Sequence, residues 1–553
     1  MKFTFITVCA PAVQHLARLH ELYQRKNPGL AEIKLYYAVE EYAPKKMEQM
    51  AADIASADCV LVDLMGSPPG IIQAVERALA DCKGQILPYG ASARSYLRLG
   101  KFTAESMKSK RPGSAPAMET MKKMQDMAQA LGKVMPGKMR DMRNYSLLMQ
   151  YFQYSSQDNL ESFLRLMLRE YGGVKSIREP LPPRIPKPVA LYDMTTLTPE
   201  EEPAHYAAQQ GFRSTLPTVA LLFSSYAYPT DTSACIRAIQ NVLAPFCNVL
   251  ALGCSGSLSE YEPQLRRYLK DPAWKPVSLV LNCMPFRLGA GPMGGKTDLG
   301  TALLEWVDAP YLHPFFLTRR TQQDWEKSVS GCTPSETLIS VMLPEMDGAI
   351  DLLPVGAMVQ NQYDAEHDVQ PYDLIPIEER LERLALRVRR YLALRQKPNG
   401  EKKVAILCYN YPPGEANLFG GAFLDTFVSV SRILERLVQE GYTTSALTPG
   451  QLKEVFTAGH AVNSGKYDCN WDGMIRYSVR HYRAPSEVTE HWGKAPGEIM
   501  AEGTDFLIPG VEVGNVFIGL QPARGREAEQ EHSYHDKTLP PHHQFVAFYQ
   551  WIR

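Results

Sequence analysis

Short, nearly unbroken apolar runs recur along this chain, each followed by a stretch in which apolar residues return every three or four positions. Residues 3–9, 59–64, 219–223, 249–252, 278–283 and 404–408 are the runs. A run of that length predicts a strand buried on both faces. Its alternation with helices predicts parallel sheets covered from both sides. The fold class expected is therefore α/β, with several doubly wound parallel-sheet modules and a helical insertion. The runs lead into loops rich in Gly, Pro, Ser or Asn: "CAPAV", "DLMGSPPG", "FSSYAYP", "GCSGSLS", "NCMPFRLGAGP" and "CYNYPPG". Ligands of such sheets bind at the carboxyl ends of the strands, where these loops fall.

Two segments depart from the alternation. Residues 107–171 are Met-rich and helical in pattern, with Met118, Met121, Met124 and Met127 three apart. A polarizable stripe of this kind suits a planar ligand, but helix packing is the preferred reading. Residues 375–397, "IEERLERLALRVRRYLALRQKP" with its flanks, form a charged amphipathic helix closed by Lys-Pro and read as a connector. Boundaries near 100, 190 and 398 follow. They give an N-terminal α/β module (1–100), a Met-rich helical segment (101–190), a second α/β module ending in the connector (191–397) and a third carrying a His-rich tail (398–553). A length of 553 residues needs several cores.

Composition narrows the functional classes. Lys and Arg number 59 against 60 Asp and Glu. That balance gives no broad basic footprint for nucleic acid or an acidic membrane. A basic stretch at 108–143 reads as a solvated helix face. The ten cysteines include no C-x-x-C pair, so they read as reduced core residues of a cytoplasmic protein. No run of eighteen apolar residues occurs, and the N-terminal "MKFTFITVCAPAV" reads as a first buried strand rather than a signal peptide.

Several motifs carry possible chemistry. "AGPMGGKT" (290–297) nearly meets the phosphate-loop pattern, but Ala290 stands at the first glycine position and Pro292 removes a donor. It is read as a decoy. "LPEMDG" holds Glu345 and Asp347 two apart, and Asp-Gly turn chemistry is the preferred explanation. In "CYNYPPGEANLFGGAFLDTFVSVSRILERLVQEGY" a strand opens into a loop of Tyr409, Asn410 and Tyr411. A helix follows with Asp425 as N-cap, an apolar face of Phe427, Val430, Leu434, Leu437 and Val438, and Gly441 as its stop. A tight turn and a surface for something flat explain that loop equally well. Seven of the twelve histidines follow residue 459: His460, His481, His491, His532, His535, His542 and His543. Imidazole titrates near neutrality and binds borderline metals, and Asp536 beside His535 is placed to orient a ring.

The pieces "NCMPFRLGAGP" with "ALLEWVDAPYL", "LPEMDGAI", "KKVAILCYNYPPGEAN", "LDTFVSVSRILERLVQEGY", "GNVFIGLQPARG" and "YHDKTLPPHHQFVAFYQWI" occur in this order. In them the chain resembles the N-terminal part of the large subunit of ATP-dependent tetrapyrrole chelatases, a family that covers cobaltochelatase and magnesium chelatase. The resemblance covers about residues 188–553. It departs from the family at Pro540-Pro541-His542-His543, where His543 is the match and His542 the extra, and at Gln521–Gly525, which lacks a second proline.

The resemblance implies insertion of a divalent metal, cobalt ahead of magnesium, into a bound macrocycle. ATP is used by separate AAA+ motor subunits and not bound here. It also implies a further region, in the same chain or another, bearing a His-Gly-Thr-His-Gly motif, without which this chain alone is not a competent chelatase. Insertion removes two pyrrole protons and strips water from the metal, so bases near neutrality help. The expected catalytic residues are His535 and His543, with His543 also the metal-handling residue. The expected substrate-binding residues are Asn410, Tyr411, Asp425, Trp492, Gln521, Arg524 and Phe545. Among these Tyr411, Trp492 and Phe545 would pack on the macrocycle and Arg524 would pair with its carboxylates. A stand-alone tetrapyrrole carrier or sensor, and a scaffold that docks the motor, are the competing readings.

Overall fold

The computed structural model describes the chain except for residues 91–92, 108–136, 226–231, 292–293, 361–371, 410–418, 422, 459–473, 526–534 and 537. The chain falls into two compact units, Met1–Leu392 and Ala393–Arg553.

The first unit contains two sheets. In the first, β1 (Lys2–Thr7), β2 (Glu32–Tyr37), β3 (Cys59–Val62) and β4 (Gln85–Pro88) run parallel in the order β2-β1-β3-β4. The short antiparallel strands β5 (Arg98–Leu99) and β6 (Phe102–Thr103) extend it. Alternation along each strand divides the side chains between two cores. Phe3, Phe5, Ile33, Leu35 and Leu61 face α1 (Ala10–Lys26), whereas Ile6, Val60, Val62 and Ile86 face α2 (Pro44–Ser56) and α3 (Pro69–Asp81). The helices α4 (Lys138–Gln153) and α5 (Gln157–Glu170) join the α1 side, where Leu148, Phe152, Phe163 and Leu164 are buried. Met118, Met121, Met124 and Met127 lie outside the described residues.

The second sheet is built on β7 (Val189–Asp193), β8 (Thr198–Glu200), β9 (Thr218–Ser224), β10 (Asn248–Cys254), β11 (Val277–Asn282), β14 (Tyr311–Thr321), β15 (Ile350–Gln360) and β16 (Tyr372–Pro376). A small hairpin of β12 (Ala290–Gly291) and β13 (Gly294–Gly295) stands apart. The order is β16-β15-β14-β11-β9-β10-β7-β8. The five central strands are parallel, with antiparallel edges. Val219, Leu221, Val249 and Leu281 point to one core with α6 (Ser233–Leu243), and Ala220, Leu222, Leu250 and Val280 to the other with α7 (Leu258–Leu269) and α8 (Thr297–Val307). The charged helix α9 (Glu378–Gln396) buries Leu381, Leu384, Val388 and Leu392 against the first of these cores. Its residues three and four apart thus form one apolar stripe.

The second unit carries a sheet ordered β17-β22-β21, in which β17 (Val404–Cys408) runs parallel to β22 (Val516–Leu520), and β21 (Gly510–Val513) antiparallel. Cys408, Val516, Ile518 and Leu520 meet α10 (Thr426–Gln439) and α11 (Pro449–Ala458) in one core. The predicted apolar face of α10 is seen in buried Val430 and Leu434, with Phe427 and Leu437 partly covered and Val438 exposed. Gly441 ends that helix at φ +78°. A second, antiparallel sheet of β18 (Ile475–Ser478), β20 (Asp505–Ile508) and β19 (Ala501–Glu502) is flanked by α12 (Ser486–Trp492) and the final helix α13 (His543–Ile552).

All six apolar runs lie on strands of parallel pairs, and the architecture is the α/β one expected. Among the described residues no helix is long and apolar enough to cross a membrane.

Candidate functional site

In the second unit, β17 and β22 end side by side. The N–H of Gln521 donates to the Cys408 carbonyl at 2.9 Å, so the segments leaving both strands begin at one place. This is the carboxyl edge of a parallel pair, where α/β sheets take ligands. Asn410 and Tyr411, expected there, lie outside the described residues.

The segment after β22 brings Gln521 and Arg524 against the tail. Gln521 Nε2 donates to the Tyr549 hydroxyl at 3.1 Å. Arg524 donates through Nη2 to the Leu539 carbonyl at 3.3 Å and its own carbonyl takes the His542 N–H at 3.0 Å. Among the described residues its buried Nε has no partner and the guanidinium no carboxylate. Trp492, at the end of α12, donates Nε1–H to the Pro540 carbonyl at 2.9 Å and presents its ring edge-on to His542 at 6.0 Å. Phe545 is half-buried, with its ring 5.2 Å from Tyr549. Arg524, Trp492, Gln521 and Phe545 therefore share one corner with the Pro-Pro-His-His turn.

The two tail histidines differ in what their rings do. His542 is the N-cap of α13, and its Nδ1 accepts the Phe545 N–H at 3.3 Å. That bond requires an unprotonated Nδ1. Burial pushes its pKa down to about 4, opposed only in part by the Ala523 carbonyl, with His543 adding slightly to the depression. His543 is 2% exposed, with Nδ1 3.0 Å from the Tyr482 hydroxyl and Nε2 2.8 Å from the Gly493 carbonyl. A carbonyl only accepts, so Nε2 carries the hydrogen and Nδ1 takes the Tyr482 proton. Both nitrogens of His543 are thus engaged within the fold, and binding a metal would require one of these bonds to break. His535 is exposed, Asp536 beside it accepts from Thr538, and His532 and His460 lie outside the described residues.

Asp425 serves where its sequence context put it, as the N-cap of α10. Its Oδ1 accepts the Val428 N–H at 3.0 Å. Among the described residues no three His, Cys, Asp or Glu side chains converge as a metal site.

In the first unit, two further motifs meet. "LPEMDG" does form a turn, with Gly348 at φ +81°. Yet the Asp347 side chain is fully buried, 2.7 Å from the Arg287 guanidinium, and accepts the Leu288 N–H at 2.6 Å. Turn propensity accounts for the backbone and says nothing about a partner sixty residues earlier. Gly295 and Gly300 have a packing reason. A Cβ on Gly295 would fall 2.0 Å from the Gly289 carbonyl, and one on Gly300 2.2 Å from the Leu288 carbonyl.

Comparison with known proteins agrees with this architecture. The fold matches the catalytic subunit of cobaltochelatase from Mycobacterium tuberculosis at TM-score 0.53 and 19% identity, over 100% of this chain and 41% of that one. The description of the CobN/Magnesium Chelatase family matches residues 149–553, and the chain belongs to that family. Relatives include the magnesium-chelatase subunit ChlH of Oryza sativa subsp. indica (26% identity, 93% of this chain, 39% of the relative). They also include a magnesium-chelatase subunit of Rhodobacter capsulatus (28%, 80% and 38%) and the aerobic cobaltochelatase subunit CobN of Pseudomonas aeruginosa (26%, 73% and 32%). The chain spans about a third to two fifths of the length of these curated relatives.

Proposed function

We propose that this chain is the tetrapyrrole-holding part of an ATP-dependent chelatase that inserts a divalent metal into a macrocycle, acting with AAA+ motor subunits that hydrolyse the ATP. The observation that carries the reading is the corner at the ends of β17 and β22, inside the stretch matched by the family. There the Arg524 guanidinium, with no carboxylate among the described residues, holds the Leu539 carbonyl, while Trp492 bonds to Pro540 and Phe545 to His542 in the same turn. A macrocycle with carboxylate side groups calls for that combination, an apolar aromatic surface for the ring and a fixed cation for the rim. Asn410 and Tyr411 belong to the same proposal as residues that follow β17.

In this reading His535, exposed in the tail, is the group that accepts a pyrrole proton. Neutral His542 and doubly bonded His543 are positioning residues that hold the Pro-Pro turn and the start of α13 against Trp492. Metal delivery to the macrocycle belongs to the remainder of the enzyme, in the same chain or in another. Cobalt is proposed ahead of magnesium on the "LPPHHQFVAFYQWI" segment. Identities of 25% to 28% with magnesium-chelatase subunits and 26% with a cobaltochelatase subunit leave the two branches level. None of the nine described cysteines is in a disulfide, which suits the reducing cytoplasm proposed for it.

The test is a fluorescence-quenching titration with protoporphyrin and with a cobalamin-pathway macrocycle. Saturable binding that Arg524→Ala weakens about tenfold is expected, the loss of a charge-assisted contact. Binding that is indifferent to Arg524→Ala and to Trp492→Ala would remove this corner from the substrate site.

A further inference from the structure

The final helix, α13, presents an outer face that is built for contact rather than for water. Its sequence, "HQFVAFYQWI", contains no Asp, Glu, Lys or Arg. The inner side is spent on the fold. Gln544, Ala547 and Phe548 are buried, and the Trp551 ring lies 4.7 Å from that of Phe517. The outer side carries Phe545 and, one turn on, Tyr549, which is 39% exposed. A helix face in water normally carries charge, and a helix apolar all round is a covered one. Exposed apolar groups also stand at the end of β17. Leu407 and Tyr409 flank Cys408, whose carbonyl takes the Gln521 N–H, and Gln521 in turn bonds to Tyr549.

Tyr549 is held by its neighbours and left with a hydrogen to give. Its ring lies 5.2 Å from that of Phe545 and 5.3 Å from that of Phe548. The phenol oxygen accepts from Gln521 Nε2 at 3.1 Å. A hydroxyl that accepts one bond still owns its O–H, and among the described residues that hydrogen has no acceptor. Burial pushes the phenol above its ordinary range, with the Gln521 N–H opposing, so the hydroxyl keeps its hydrogen at neutral pH. The residue is open to solvent, and a ligand reaches it without repacking of the core.

Taking the tetrapyrrole reading as given, we propose that Tyr549 is a second hold on the macrocycle. Its ring extends the aromatic surface of Phe545, and its hydroxyl donates to a carboxylate side group at the rim. A carboxylate is the acceptor that such a macrocycle carries, and a hydrogen bond to it is roughly twice as strong as one to a neutral oxygen. Arg524 stands on the segment that leaves β22, and Tyr549 on α13. Two holds from separate elements fix a flat ring against turning in its own plane, which one cation does not do. Orientation of that kind is what a reaction at the centre of the ring requires.

The test titrates the full chain with protoporphyrin and with its dimethyl ester by fluorescence quenching, both in the same dilute detergent. Wild type, Arg524→Ala and Tyr549→Phe are compared. The phenylalanine keeps the ring and deletes only the hydroxyl. Tyr549→Phe is expected to weaken protoporphyrin about tenfold and the ester about twofold, because the first loses a bond to a charged acceptor and the second a bond to a neutral one. An equal loss for both ligands would make the hydroxyl a prop for Gln521 and overturn the assignment, and so would no loss. Should the wild type bind neither ligand, the tetrapyrrole reading falls and this role falls with it. Wild-type binding that Arg524→Ala weakens and Tyr549→Phe leaves unchanged removes Tyr549 alone.

Discussion

Replacing His542 by Asn separates a structural role of the tail from a catalytic one. His542 caps α13 through an unprotonated Nδ1 and sits almost fully buried. Its folded pKa, about 4, lies below the ordinary value of 6.5, because burial disfavours the imidazolium. The unfolded chain therefore binds the proton first as the pH drops. The native state keeps its full stability above about pH 6.5 and loses it progressively as pH falls from there towards 4. The gap between those two values, at 1.36 kcal/mol per pH unit, amounts to about 3 kcal/mol from this one residue. Asn is among the best N-caps and does not titrate, so His542→Asn should keep the helix. Thermal unfolding of the second unit, followed at several pH values between 7 and 4, is the assay. The wild type should lose that stability on acidification while His542→Asn stays nearly flat in the same range. Buried His313, whose pKa is also lowered to about 4, is in the first unit and common to both proteins. Parallel pH profiles for the two proteins would show that the ring is not held neutral and that the cap is not formed through Nδ1.

Further outcomes follow from other contacts. Asp347→Asn keeps the shape but removes the charge facing Arg287. Because the guanidinium retains some solvent access at 18% exposure, a loss of about 2 kcal/mol is expected, below the range for fully buried pairs, with faster amide exchange at Leu288 as the local readout. Gly300→Ala places a Cβ within 2.2 Å of the Leu288 carbonyl, so it should lower the melting temperature of the first unit despite the higher helix propensity of Ala. Asp425→Ala should cost about 1 kcal/mol through the lost N-cap of α10, measured by denaturant unfolding, and should leave macrocycle binding unchanged if capping is all that Asp425 does.

What the sequence makes legible here is what depends on local pattern. Strands such as Thr218–Ser224 and Val404–Cys408 are read from continuous apolar runs, and α10 from its Asp425 cap, spaced apolar face and Gly441 stop. The antiparallel strands Ile475–Ser478 and Asp505–Ile508 escape such reading, because they are four residues each and mix charged with apolar positions. Tertiary partners escape it too. Nothing beside His543 marks Tyr482 and Gly493, sixty-one and fifty residues away, as the groups that take both its nitrogens. A cluster of histidines suggests ligands, and the fold engages two of them as a cap and a buried tie. Glu336 follows the same logic in reverse. Its Thr-x-x-Glu context signals an ordinary helix start, and only the burial of Oε1 without a partner among the described residues sets it apart.

Hydrogen–deuterium exchange with and without bound macrocycle tests the central claim most directly, because it reports where the ligand sits. The account predicts protection concentrated in the second unit, at residues 519–525 and 539–546 and at the end of α12 around Trp492, and lost in Arg524→Ala. Protection confined to the first unit, or binding that leaves those segments unchanged, would contradict it.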